Sequence, residues 1–334
     1  MQYEASAPGK AVLAGEYVVL HGAPAISMAV DCRAVAGVQA AGGEWYGVRA
    51  PGGNAVRFRL AREGGLEWER AEERGAWSLL EEVARQGGCA LPAGGIVRLD
   101  TEAFVDRDSG VKLGLGSSSA LAVALAAAWL GGRADPAQVE ALAAAAHRAL
   151  MHGRGSGIDV ATALRGGVIG YTREGPVSAL QWPERLQYAV LWCGKAASTA
   201  EKLAQEEQFS KRGARRSAER LAAEAETVLR RWQEGVERAL LESFASYVEA
   251  LRGYSKDARL GIFDAGHDEL ASMAGQYQMV YKPCGAGGGD IGIALYPQEA
   301  DPADYIARAE GLGFRRLACK LEPRGLAVDF RENG

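Results

Sequence analysis

The spacing of apolar and polar residues predicts strands at the start of the chain. Residues 10–40 are rich in β-branched side chains and are interrupted by the turn sequence HGAP at residues 21–24. Residues 41–70 predict further strands separated by Gly-rich turns, and residues 95–104 alternate as a strand does. Between them, residues 76–86 have the periodicity of a helix and end at two glycines. The first third of the chain is therefore predicted to form a sheet accompanied by a helix.

Longer helical patterns follow. An apolar run predicts a helix over residues 118–130, stopped by two glycines. A second helix is predicted from Asp135, whose side chain can cap it, to about Met151. A Gly-rich loop, a short helix and a strand come next. Residues 200–253 predict two amphipathic helices packed on their own domain, with a break near Gly213; a coiled-coil or interaction arm is the alternative.

Length and charge narrow the classes of protein. A chain of 334 residues suits two domains, and a turn-like stretch at residues 180–187 predicts their boundary. The net charge of -4 gives no reason to expect affinity for nucleic acid or an anionic membrane. The longest apolar run, residues 120–130, is far shorter than the ~20 residues that a bilayer-spanning helix needs.

The cysteines and the opening sequence bear on location. Five cysteines are scattered and never spaced as CxxC, which argues against a disulfide framework or a structural zinc site and for a reducing compartment. The opening sequence MQYEASAPGK has no apolar core, so no signal peptide is expected. These features predict a cytoplasmic protein.

The sequence VKLGLGSSSA at residues 111–120 places small residues directly before a helix. The first N–H groups of a helix lack partners within it and carry the positive end of its dipole, so they bind anions. Glycines let the backbone approach a phosphate, and serine hydroxyls add hydrogen bonds or ligate Mg²⁺. A Ser-capped helix after a tight turn explains the same residues equally well. A hydrolase with a nucleophilic serine is a minor alternative, because GSSSA lacks the last glycine of GxSxG.

Two further loops carry candidate chemistry. GAGGGD at residues 285–290 leads into a strand, so it is neither a dinucleotide fingerprint nor a P-loop; its glycines allow close approach to a ligand or tight packing. RGSGID at residues 154–159 places Asp159 after a flexible loop, where it can act as a general base beside the positive charge of Lys10 or Arg154. An aspartate that caps a helix is the simpler explanation.

Taken together, APGKAVLAGEYVVLHG, GLGSSSALAVAL and KPCGAGGGDIGIAL resemble, in this order, the three signature motifs of the GHMP kinases. The match runs from residue 7 to residue 295 at the expected separations. A fourth sequence, GSGIDVATALRGGVIGY, resembles the loop that carries the catalytic aspartate of mevalonate kinases. Four motifs in order are a far stronger signal than any one of them.

The resemblance implies a two-domain α/β fold with ATP and the phosphoryl acceptor in the cleft between the domains. We expect an N-terminal ATP-binding domain over residues 1–183 and a C-terminal domain over residues 184–334. By position, Lys10 and Asp159 are the expected catalytic residues, and Ser118 is the expected ligand of Mg²⁺. The expected ATP-phosphate residues are Gly114, Gly116, Ser117, Ser118 and Ser119. The expected acceptor residues are Glu16, Tyr17, Arg154, Ser156, Ser198, Thr199, Lys282, Gly287, Gly288 and Asp290.

Within the family, the isoprenoid branch resembles this sequence best, since the sugar-binding motif of galactokinases is absent. Tyr17 and Asp290 resemble phosphomevalonate kinases, as does CGKAASTAEKL at residues 193–203. HGAPAISMAVD and SGIDVATALRGG resemble mevalonate kinases instead. The Mg²⁺-binding glutamate of mevalonate kinases is replaced by Arg148, so either Ser118 and water hold the metal or another acid serves.

The resemblance therefore predicts an ATP- and Mg²⁺-dependent kinase that converts (R)-5-phosphomevalonate to 5-diphosphomevalonate. Arg148, Arg154, Lys195 and Lys282 supply positive charge that suits an acceptor already bearing a phosphate. Mevalonate kinase, or another alcohol or sugar kinase, is the second hypothesis, and an inactive ATP-binding regulator is the third. The expected partner is the small-molecule acceptor, without nucleic acid or membrane, and a homodimer is left open.

Overall fold

The computed structural model describes residues 2–61, 64–88, 91, 93–132, 134–197, 202, 204, 206 and 214–331. Its first sheet has nine strands. Eight of them are β1 (Gln2–Ala14), β2 (Ala25–Ala40), β3 (Tyr46–Arg49), β4 (Val56–Leu60), β5 (Leu66–Trp68), β6 (Gly95–Asp100), β7 (Val168–Tyr171) and β8 (Ser178–Leu180). β2 is central, because it pairs antiparallel with β1, β6 and β7. The strands predicted near the start of the chain thus lie in one sheet.

The second sheet has four strands in the order β10-β11-β9-β12. These strands are β9 (Leu186–Trp192), β10 (Val280–Pro283), β11 (Ile291–Pro297) and β12 (Arg315–Leu317). The last strand, β13 (Ala327–Arg331), returns to the first sheet and pairs antiparallel with β1. The division into residues 1–183 and 184–334 stays a prediction, and the final strand of the second segment lies in the sheet of the first.

Eight α-helices lie in the described part of the chain. They are α1 (Ser78–Gly87), α2 (Ser117–Trp129), α3 (Pro136–Leu150), α4 (Ile158–Arg165), α5 (Arg215–Glu234), α6 (Glu237–Asp257), α7 (His267–Met273) and α8 (Ala303–Gly311). α2 is apolar on nearly all sides, because it packs on β1 and β2 and contacts α1, α3 and α4. The mixed α/β fold expected from the sequence is confirmed.

Most predicted helices are present. α3 begins as expected, since the Asp135 carboxylate accepts a hydrogen bond from the Ala137 N–H at 2.9 Å and Gln138 completes a capping box. The two long helices α5 and α6 pack against each other and against the core, as the amphipathic pattern predicted. They separate at Gly235, whose φ of 70° suits a glycine; Gly213 lies outside the described residues.

The sequence between β1 and β2 differs from its prediction. We expected strand up to Leu20, but β1 ends at Ala14 and Val18–His21 form a 3₁₀ helix. The strand ends because Gly15 and Tyr17 have φ values of 92° and 64°, outside the β region. The turn carries the residues after Gly15 away from the first sheet and toward α6 and the loop after β10.

One hydrophobic core joins the two sheets. It includes Leu13 and Ile26 of the first sheet, Phe244 and Leu251 of α6, and Ile293 of β11, all of them buried. The sheets therefore meet through a shared interior. None of the described helices has the length and apolar character that crossing a membrane requires.

Candidate active site

β1 places Lys10 at the centre of the candidate site. The Lys10 N–H donates a hydrogen bond to the Leu115 carbonyl at 2.8 Å, which ties this strand to the loop before α2. Its Nζ atom lies 3.2 Å from Oδ1 of Asp159. Burial lowers the pKa of Lys10, but the Asp159 carboxylate, together with Cys284 and Asp290, raises it, and the pKa lies above the ordinary value. Lys10 is therefore a fixed positive charge paired with a carboxylate.

The loop before α2 has the backbone shape that binds an anion. Gly114 and Gly116 have φ values of 79° and 80°, and α2 starts without a side-chain cap. A Cβ on Gly114 would lie 2.2 Å from Cβ of Asp290, and one on Gly116 would lie 3.1 Å from Cε of Lys10. The unpaired N–H groups at the start of α2 thus lie beside Lys10. Glycine at positions 114 and 116 keeps this space free of side chains. Ser117 and Ser119 belong to this first turn, where Ser119 donates to the Gly116 carbonyl.

Ser118 contacts a residue that sequence reasoning did not assign. Its Oγ lies 3.1 Å from Nε2 of His147, in the last turn of α3. Burial lowers the pKa of His147; the Asp159 charge opposes this shift and the Lys10 charge adds to it. The neutral imidazole has one donor and one acceptor nitrogen, so it can exchange a hydrogen bond with the hydroxyl. His147 lies four residues after the buried Ala143, and residues at this spacing share one face of a helix. The sequence could therefore have shown that His147 lies on the same face of α3 as Ala143.

Asp159 lies in the first turn of α4, after a glycine-rich loop. Gly157, with φ at 89°, turns the chain into the helix. The loop is fixed from two sides, because Tyr171 donates to the Ser156 carbonyl at 2.6 Å and the Ile158 N–H donates to Ser156 Oγ at 3.3 Å. One pocket is lined by these predicted and additional residues: Lys10, Glu16, Tyr17, His147, Arg148, Arg154, Ser156 and Asp159.

Glu16, which lines this pocket, forms a buried ion pair with Lys282 of β10. Their side chains are 2% and 1% exposed. Tyr247 donates to the second carboxylate oxygen of Glu16 at 2.5 Å, and the Lys282 ammonium also donates to the Val12 carbonyl at 3.1 Å. These contacts link β1, β10 and α6. Tyr17 extends the link, because its hydroxyl donates to the Ala286 carbonyl at 2.6 Å.

The third glycine loop connects β10 to β11 and packs against its surroundings. Cβ atoms on Gly287 and Gly288 would lie 2.5 Å from Ile262 and 2.8 Å from the Gly261 carbonyl, so both positions require glycine. Asp290 accepts a hydrogen bond from the Ala197 N–H at 2.9 Å, and burial raises its pKa. The next residues after Ala197, the predicted acceptor residues Ser198 and Thr199, lie outside the described residues.

The site combines a backbone that can bind an anion, a fixed lysine and a carboxylate beside that lysine. These parts are typical of a site that transfers a phosphoryl group to a small molecule. Residues 76–167 match the family model of the GHMP kinases N terminal domain. A phosphomevalonate kinase of Streptomyces sp. (strain CL190) is 30% identical over 353 residues, covering 88% of this chain and 90% of that protein. The chain belongs to the GHMP kinase family.

Two other known proteins extend the likeness to nearly the whole chain. A mevalonate kinase of Thermococcus sibiricus is 27% identical over 360 residues, covering 98% of this chain and 99% of that protein. The structure of Streptococcus pneumoniae phosphomevalonate kinase in complex with phosphomevalonate and AMPPNP matches with a TM-score of 0.75 at 19% identity, covering 95% and 99%. The protein is thus an ATP-dependent phosphotransferase among the kinases of the mevalonate pathway.

Proposed function

We propose that this kinase transfers the γ-phosphoryl group of ATP to the phosphate of (R)-5-phosphomevalonate, giving 5-diphosphomevalonate and ADP. The observation that carries the proposal is the charge of the pocket wall. Lys10 pairs with Asp159, and Glu16 pairs with Lys282. Arg148 and Arg154 also line this pocket with guanidinium groups. Arginine binds phosphate oxygens with two parallel hydrogen bonds, and two arginines suit an acceptor that carries a phosphate in addition to its carboxylate.

The ATP phosphates would lie at the first turn of α2. The first backbone N–H groups there bind phosphate oxygens, and Lys10 neutralises charge that develops during transfer. Mg²⁺ prefers oxygen ligands, and the hydroxyls of Ser117 and Ser118 are such ligands at this turn. Ser118 is the proposed protein ligand; when bound, the ion neutralises charge on the phosphates. His147 then holds the Ser118 hydroxyl in one orientation, through their 3.1 Å contact.

A mevalonate kinase activity is the second candidate. The 3.2 Å contact between Lys10 and Asp159 favours it, because a carboxylate next to a fixed ammonium group suits a general base that takes a proton from an alcohol. The phosphate of phosphomevalonate is already ionised and needs no such base. With phosphomevalonate as the acceptor, Asp159 would serve mainly to orient Lys10.

Release of ADP, measured with (R)-mevalonate and with (R)-5-phosphomevalonate, tests the proposal directly. We expect turnover of the phosphorylated acceptor and little of the alcohol. Arg154→Ala removes a charge-assisted contact of about 1.5–3 kcal/mol, so KM for phosphomevalonate is expected to rise at least tenfold. Arg165→Ala is the matched control, since Arg165 pairs with Glu140 on the outer side of α4.

Asp159→Asn separates the two candidates. It is expected to reduce turnover severely with an alcohol acceptor and more mildly with a phosphate acceptor. Turnover of mevalonate alone, with no effect of Arg154→Ala, would refute the proposal and leave the alcohol kinase.

A further inference from the structure

A second cluster of reactive side chains lies outside the kinase pocket. It consists of Asp31 and Cys32 in β2 and Cys319 shortly after β12, and we name it the Asp-Cys-Cys cluster. One carboxylate oxygen and the two Sγ atoms all lie within 4.8 Å of one another. Cys32 and Cys319 are partly buried, whereas Asp31 is exposed. None of the three residues lines the pocket that holds Lys10.

An irregularity in the sheet brings Asp31 and Cys32 out of the β1–β2 ladder. Pro8 pairs with Arg33, but the next residue, Gly9, pairs with Val30, so Asp31 and Cys32 have no partners in β1. A bulge of this kind redirects the side chains of the extra residues. The bulge thus aims these two residues at a different part of the chain.

The segment around Cys319 occupies the position opposite the bulge. Val30 forms an antiparallel bridge with Leu321, and the Asp31 N–H donates to the Lys320 carbonyl at 3.1 Å. The Lys320 N–H in turn donates to Oδ1 of Asp31 at 2.9 Å. This pairing is what places Cys319 opposite Cys32, and it orients the Asp31 carboxylate by a backbone hydrogen bond.

The chemistry of the cluster suits a cation better than a disulfide. Both cysteines are free, and each offers one sulfur atom that binds a metal ion as the thiolate. A carboxylate beside the pair contributes nothing to a disulfide. For a metal ion, the same carboxylate is a third ligand. Two thiolates and one carboxylate match the ligand types of zinc, with a fourth position left for water.

We propose that Asp31, Cys32 and Cys319 bind one Zn²⁺ ion per chain. The ion would cross-link the bulge of β2 to the segment that carries the chain from β12 back to β13. The CxxC spacing rule misses this site, because its two cysteines are near opposite ends of the sequence and meet only through the return of the chain to the first sheet. The proposal does not depend on the identity of the acceptor.

Calorimetric titration of the purified full chain with ZnCl₂, after removal of metals and under a phosphine reductant, tests the site. We expect one Zn²⁺ per chain in the wild type. Cys319→Ser is expected to weaken binding at least 100-fold and Asp31→Asn about tenfold, on the scale by which loss of metal-supporting groups acts. Cys193→Ser is the matched control, because Cys193 is also partly buried and lies outside the cluster.

Two further readouts keep the test independent of any one variant. With Co²⁺ in place of Zn²⁺, we expect the wild type to show a thiolate-to-metal absorption band. Cys319→Ser should lack this band, whereas Asp31→Asn, with both thiols intact, should retain it in weakened form. Zn²⁺ should raise the Tm of the wild type but not of Cys319→Ser, since only a native-state ligand shifts unfolding. Binding that survives Cys319→Ser, absence of stoichiometric binding, or a Cys32–Cys319 disulfide with no metal uptake by the reduced protein would each overturn the proposal.

Discussion

Replacing Lys282 with methionine is expected to lower the free energy of unfolding by about 3–5 kcal/mol, the cost of removing one partner of a buried ion pair. The side chain of Lys282 is 1% exposed, so no water can take its place beside Glu16. The change leaves the Glu16 carboxylate with the Tyr247 hydroxyl as its side-chain donor and removes the donor to the Val12 carbonyl. A loss of this size is a large part of the ~5–15 kcal/mol that stabilises an ordinary protein.

The double variant Glu16→Gln/Lys282→Met isolates the ion pair. Glutamine keeps a side-chain oxygen for the hydrogen bond from Tyr247 and removes the charge that Lys282→Met leaves behind. We therefore expect the double variant to be more stable than Lys282→Met alone, with a coupling of about 1–3 kcal/mol between the two positions. Lys256→Met, on the exposed side of α6, is the matched control and is expected to change stability by less than about 0.5 kcal/mol.

Urea unfolding followed by tryptophan fluorescence measures these differences, and KM for the acceptor is measured on the same proteins. The structure shows Lys282 buried and bound to Glu16 and the Val12 carbonyl, whereas the family resemblance implied that it binds the acceptor. A large loss of stability with restoration in the double variant supports the structural role. If Lys282→Met changes stability by less than about 1 kcal/mol while KM for the acceptor rises tenfold, the reasoning is refuted and Lys282 contacts the acceptor.

Two other substitutions test separate parts of the site, and a third prediction concerns His267, a buried histidine that does not line the pocket. His147→Ala is expected to raise KM for Mg²⁺·ATP three- to tenfold by releasing the Ser118 hydroxyl, with a smaller effect for His147→Gln; equal KM values would exclude this role. Gly114→Ala is expected to abolish turnover while the chain still folds, because its Cβ would lie 2.2 Å from Cβ of Asp290 and its φ is 79°; full activity would contradict the close fit. Burial lowers the pKa of His267 to about 4, below the ordinary 6.5 of an unfolded chain. The unfolded chain therefore takes up the proton first as the pH falls, so stability is lost between about pH 6.5 and pH 4, by up to about 3 kcal/mol. The difference in urea unfolding between wild type and His267→Gln should change across this window, and a constant difference would refute the assignment.

The sequence was sufficient for most of the helices and strands and for naming the motifs of the candidate site, but not for pairings between distant residues. A capped helix such as α3 is predictable because Asp135 and the apolar spacing act within one turn. The motif around Lys10 is likewise local. The ion pair between Glu16 and Lys282 depends on how β1 and β10 approach each other, which no local pattern encodes. The 3₁₀ helix after β1 was missed for a similar reason: the β-branched side chains favour a strand, and the tight packing at Gly15 against the start of β2 overrides them.

The position of Lys10 explains why glycine recurs in motifs that are far apart in sequence. A Cβ on Gly9 would lie 2.5 Å from the Leu115 carbonyl, so β1 can approach the phosphate loop only with glycine at that position. Positions for a Cβ on Gly116 and Gly285 lie 3.1 Å and 3.6 Å from Lys10 side-chain atoms. Strand β1 and two glycine-containing loops thus meet around the Lys10 side chain, and the contact at Gly9 leaves no room for a larger residue. Phosphoryl transfer depends on close positioning and charge neutralisation, and this convergence contributes to both. β13 contributes from outside the pocket, because its pairing with β1 holds the strand that carries Lys10.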